Sequence, residues 1–146
     1  MINLLLYDET TGEISRSIQL EDVSQVSLHT STLDYLIVDR NIDILMYKVS
    51  QGALEFSEHY YKRVRNDKRT TSVASIKVMI STDKVFDGDE KSQDRMVRAI
   101  NIATITGLTE TQWKLANNEI VMVTLDELKE ALALAGQEMS RIWLEQ

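Results

Sequence analysis

The sequence contains no cysteine and only two histidines among its 146 residues. Without cysteine there is no disulfide framework and no thiolate zinc site, which is compatible with a reducing compartment. His29 and His59 are too few for a multi-histidine metal centre. Glycine is scarce as well. Gly12, Gly52, Gly88, Gly107 and Gly136 are dispersed, so no glycine-rich phosphate loop exists. His29 lies among Ser24, Ser27, Ser31 and Asp34, the residue types of a hydrolase triad. A triad is defined by geometry and an oxyanion hole, however, and no G-x-S-x-G elbow is present. No apolar run approaches bilayer-spanning length. MINLLLYDET lacks the basic segment and long apolar stretch of a signal peptide, so a cytoplasmic protein with no membrane partner is expected. The chemistry that is missing points to a protein that is not an enzyme and carries no cofactor or metal.

What is present suits a folded core. Hydrophobic residues make up 43% of the chain and charged residues 27%, enough for one domain or two small ones without staples. The formal net charge of −7 argues against general attraction to phosphates, and no nucleic-acid partner is expected. One basic run, Lys62, Arg63, Arg65, Lys68 and Arg69 beside Tyr60 and Tyr61, reads as a solvated helix face that balances an acidic chain.

The first fifty-odd residues read as a small antiparallel β module. INLLLYD (2–8) and EISRSIQL (13–20) flank a polar loop ending in Gly12, the pattern of a hairpin. DVSQVSLH (22–29), LDYLIVD (33–39) and IDILMYKV (42–49) have strand composition, and Gly52 marks a turn before ALEF. The polar stretch 57–72 loses apolar periodicity after Val64 and predicts a short helix running into a linker, the domain boundary.

Beyond it the fold class is α+β with a repeated plan. SIKVMIST and KVFD predict two short strands around Thr82 and Asp83. Asp87-x-x-Glu90 then has capping-box spacing for a helix whose face carries Met96, Ile100 and Ala103 and which stops at Gly107. QWKLANNEIVMVT (112–124) predicts two more strands around Asn117 and Asn118. Thr124-x-x-Glu127 opens a last helix, with Leu125, Leu128, Leu132, Ala135, Met139 and Ile142 along one seam. Strand, turn, strand, capped helix thus occurs twice, by duplication or by reuse of common parts. The expected organisation is a β-rich module over 1–56, a helix and linker over 57–72, and a hairpin–helix–hairpin–helix domain over 73–146. Asp87 and Asp89 do not fit an EF-hand loop, and capping accounts for them without metal. Met139, Ile142 and Trp143, at the end of the last helix, are the candidate partner-binding residues, because tryptophan is enriched at binding hot spots.

VFDGDEKSQDRMVRAI (85–100), Trp113 with ANNEIVMVT (116–124), and LDELKEALALAGQ (125–137) resemble a domain of unknown function that recurs in tailed bacteriophages, in tail-fibre and tail-fibre assembly proteins. LYDETTGEI (6–14) and YKVSQGALEF (47–56) look like the short β modules that begin many phage tail-associated proteins. The resemblance implies a non-enzymatic assembly chaperone that binds the tail-fibre protein while it folds and trimerises. It would act in the cytoplasm of the bacterial host, with self-association as a further contact. The alternative it implies is a structural or fibre-attachment component retained in the virion tail.

Overall fold

The computed structural model describes residues 1–30 and 33–145. The chain forms two compact units, Met1–Asn66 and Asp67–Gln146. The first is built on a three-stranded antiparallel sheet of β1 (Ile2–Tyr7), β2 (Ile14–Leu20) and β3 (Asp34–Val38), with β1 in the centre. The unbroken apolar run of β1 follows from that position, because both faces of the strand are covered. Leu4 and Leu6 pack on one side with Leu20 and Val26, and Leu5 packs on the other with Ile14 and Val49. Val49 belongs to a hairpin of β4 (Tyr47–Ser50) and β5 (Ala53–Phe56). Its two turn residues, Gln51 and Gly52, have φ of 50° and 76°, as a type I′ turn requires.

Gly12 ties this hairpin to the sheet. Its carbonyl accepts from Val49 N at 2.8 Å. A Cβ at position 12 would lie 2.1 Å from Val49 O, at a φ of 73°. Only glycine meets both demands.

Three expectations in this region are corrected. Residues 22–29 are not a strand but a 3₁₀ turn over Val23–Leu28. Asp22 accepts from Ser24 N at 2.6 Å, and such local side-chain bonds draw the backbone away from a sheet ladder. The strand expected over 42–49 begins only at Tyr47. Asp43 accepts from Leu45 N through its side chain and from Met46 N through its carbonyl, which closes a turn ahead of it. The linker expected within 57–72 is continuous helix, α1 (Glu58–Ala74). Its residues 61–68 are all exposed, so the missing apolar period reflects a helix with no face to bury. The two units divide inside this helix, between Asn66 and Asp67.

The second unit is mixed α+β as expected: β6 (Lys77–Met79), β7 (Val85–Asp87), α2 (Glu90–Thr106), β8 (Glu110–Lys114), β9 (Ile120–Thr124) and α3 (Leu125–Leu144), two hairpins each followed by a helix. Both hairpins close in the same way. Ile80 N donates to Lys84 O and Asp83 N to Ile80 O; Leu115 N donates to Glu119 O and Asn118 N to Leu115 O. Asp83 and Asn118 carry the positive φ, 64° and 69°. The turns and the helix N-caps Asp89 and Thr124 recur 35 residues apart (80 and 115, 83 and 118, 89 and 124). One constant offset through turn, strand and cap makes the two halves copies of a single plan. Their shared core centres on Phe86, Met96, Val123, Leu128, Ala131 and Ala135.

The cap of α2 is Asp89, two residues beyond the expected Asp87. Its carboxylate accepts from Ser92 N at 2.6 Å. Asp87 is still paired in β7, opposite Lys77, so it cannot leave the strand to cap.

Candidate functional site

The three residues expected to form a partner surface part company on α3. Ile142 is buried in the core of the second unit, which corrects its place in that surface; Met139 is half-buried against the same core. Trp143 is 52% exposed. The Arg69 guanidinium lies 6.0 Å from its ring centroid and donates to Glu145 O at 2.8 Å, so the ring is stacked by a cation from α1. The buried line of α3 runs through Leu128, Ala131, Ala135 and Ile142. Leu132, expected mid-seam, is half-buried, and the fully buried Ala131 takes that place.

The strongest electrostatic feature is at the start of α3. Thr124 Oγ1 accepts from Glu127 N at 3.1 Å and the Glu127 carboxylate accepts from Thr124 N at 2.9 Å, completing the expected capping box. The same carboxylate, almost wholly buried, accepts from Lys84 Nζ at 2.7 Å and Thr82 Oγ1 at 2.7 Å. The Lys84 and Thr82 hydrogen bonds pull its pKa down to about 2. Next to it Glu130 accepts from Ser81 N and Ser81 Oγ, each at 2.8 Å. The first hairpin's turn is thus locked onto the N-terminus of α3. Capping-box spacing pointed to Thr124 and Glu127, but nothing local in sequence links them to Lys84.

Other candidates disperse. Ser24 is bonded to Asp22, and His29 is an exposed residue at the end of the 3₁₀ turn; Ser31 lies outside the described residues. Of the basic run, Arg65 pairs with Glu58 at 2.9 Å and Arg69 with Glu145 O. Tyr60 stacks on Phe56 with ring centroids 3.8 Å apart and a 12° tilt, and Tyr47 and Tyr61 join the same cluster. Among the described residues, no group of three or more His, Cys, Asp or Glu is placed to hold a metal ion, and no helix is long and apolar enough to cross a membrane.

Two surface features remain open. The outer edge of β3 makes no backbone hydrogen bond among the described residues, since β3 pairs only with β1. Its middle, Tyr35, Leu36, Ile37 and Val38, is uncharged, with Tyr35 exposed. In the second unit a groove of about 370 Å³ lies along β8 and the first turns of α2, lined by Ser92, Arg95, Gln112, Trp113 and Lys114 together with Asp87 and Asn118.

No curated protein and no solved structure matches the chain. A family model described as a domain of unknown function (DUF4376) matches residues 58–143, more than half of the 146. The matched span takes in α1, both hairpins and nearly all of α3. On that match the chain belongs to the DUF4376 family.

Proposed function

We propose that the protein is a non-enzymatic tail-fibre assembly chaperone of a bacteriophage, holding the fibre protein while it folds and trimerises in the host cytoplasm. The resemblance of residues 85–137 to the domain found in phage tail-fibre and fibre-assembly proteins motivates the reading. The observation that carries it is the bare edge of β3. An intertwined fibre has unpaired strand edges before it trimerises, and such edges aggregate unless something covers them. A strand whose residues 35–38 are uncharged and whose outer edge is unpaired among the described residues, on a chain with no proline to blunt it, is the complement of such an edge by strand addition.

Co-expression tests this. The fibre protein encoded beside this chain should become soluble and trimeric with it and precipitate without it. Tyr35→Lys, which puts a charge on the exposed edge, should abolish the rescue while leaving the chain folded. Full rescue by Tyr35→Lys, or a fibre indifferent to the chain, sinks the reading. The second reading, a component retained in the tail, is favoured if mass spectrometry finds the chain at stoichiometric level in purified virions.

A further inference from the structure

The two copies in the second unit share one plan but differ where helix meets turn. In the closed copy, Glu127 and Glu130 of α3 bind Ser81, Thr82 and Lys84 in the turn of the first hairpin. Thirty-five residues earlier, the same helix positions on α2 are Ser92 and Arg95, as the caps Thr124 and Asp89 fix the register. There the side-chain lock is missing, and Ala116 N, the counterpart of Ser81 N, donates instead to Val85 O of β7 at 3.0 Å. Arg95 is exposed and forms no ion pair among the described residues. Ser92 is 8% exposed, and its hydroxyl, which makes no hydrogen bond among the described residues, is not sealed from solvent and lines the open groove.

The lining shows what fits. Gln112, Trp113 and Lys114 are consecutive, and successive strand side chains point to opposite faces. A groove touching all three therefore runs along the strand's edge. Along β8 itself that edge is unpaired among the described residues, since β8 pairs only with β9; β7 closes it just beyond, where Ala116 N donates to Val85 O at 3.0 Å. Arg95 and Lys114 outnumber the single carboxylate, Asp87, on a chain of net charge −7. Lys91 and Arg98 extend the basic stripe along α2 at helical spacing. In the comparable groove between β6 and α3, Arg141 is held by Glu138 and Glu145, and Lys77 forms no ion pair among the described residues.

We propose that this groove binds an extended acidic segment of a partner protein. The segment lies along β8 as an added strand and places a carboxylate on Arg95, Lys114 and the Ser92 hydroxyl. Where the closed copy sets helix carboxylates against Lys84, the open copy sets a guanidinium and a hydroxyl on the helix, and Glu119, which stands in the place of Lys84, pairs with neither; the carboxylate in the groove comes from the partner. Charge-assisted bonds to guanidinium are the stronger kind, and the strand edge supplies backbone bonds that fix the segment's direction.

The test is a two-dimensional amide NMR titration of the full chain with the blocked peptide acetyl-Thr-Glu-Val-Glu-Thr-amide. Saturable shifts are expected at Ser92, Arg95, Gln112, Trp113, Lys114 and Asn118. The Gln-for-Glu peptide should bind about tenfold more weakly, and Arg95→Glu and Lys114→Glu should each remove the response while keeping a dispersed spectrum. Should Arg95→Glu disturb the fold, Lys114→Glu decides alone, being on an exposed strand position. Absent shifts at millimolar peptide, equal binding of the Gln peptide, or the same shifts from inorganic phosphate would each overturn the proposal. This site is separate from the β3 edge, so its failure leaves the chaperone reading standing.

Discussion

Asp87 and Asp89 sit two positions apart and do different work. Asp89 accepts from the free backbone N–H of Ser92 and its charge faces the positive end of α2, whereas Asp87 is held in β7. Asp89→Ala is expected to lower stability by about 0.5–2 kcal/mol, and Asp87→Ala by less than about 0.5 kcal/mol. Urea unfolding of both variants checks this; equal losses would put the cap in the wrong place. The carboxylate cluster around Gly88 was legible in sequence as a helix start. The two-residue error arose because Asp87-x-x-Glu90 and Asp89 both offer a capping carboxylate, and only the register of β7 against β6 chooses between them. Gly88 itself is closely packed. A Cβ there would lie 2.5 Å from Ile76 Cγ2 and 3.0 Å from Ala135 Cβ, so its reason is tertiary and invisible in the local string.

Elements whose local signals agree were read correctly; where a local side-chain bond competes with strand composition, as at Asp22 and Asp43, they were not. The Thr124–Glu127 box, the αL stop at Gly107 and the Asn118 turn each arise from residues within a few positions. The missing linker is a helix with no face to bury, so no apolar period announced it, and the 3₁₀ turn is set locally by Asp22 against the strand composition of 22–29. The free groove residues were unreadable too, because only the 35-residue register shows which positions ought to be occupied. Between elements the chief tie is Lys84 with Glu127. The folded pKa of Glu127 is depressed from 4.5 to about 2. Its contribution is therefore present above about pH 4.5 and lost as pH falls through about 2. Glu127→Gln should destabilise by about 1–3 kcal/mol at pH 7, with the gap to the parent protein closing between these pH values. Denaturant melts across that range measure it, and a gap that does not change with pH would assign the loss to packing.

At the scale of the whole molecule, the two units differ in how far along the chain their partners lie. In the second, each strand pairs with its neighbour in sequence over a short turn, and the longer spans are the side-chain ties of the first hairpin to α3. In the first, β1 must find β3, with Asn3 opposite Val38, and Gly12 must find Val49. Local contacts form before distant ones. In refolding followed by pulsed hydrogen exchange, amides of Val78, Phe86 and Val123 should gain protection before those of Leu4 and Leu5; the reverse order would refute this. The same register has a consequence for the chain as it is made. Leu4, Leu5 and Leu6 leave the ribosome more than forty residues ahead of Val49, the cover for Leu5. At about 5–20 residues per second that interval is roughly 2–9 s. For that time the most buried strand of the protein has only the β2 hairpin to shield it, so a chain that is itself briefly in need of cover goes on to present a free edge of its own.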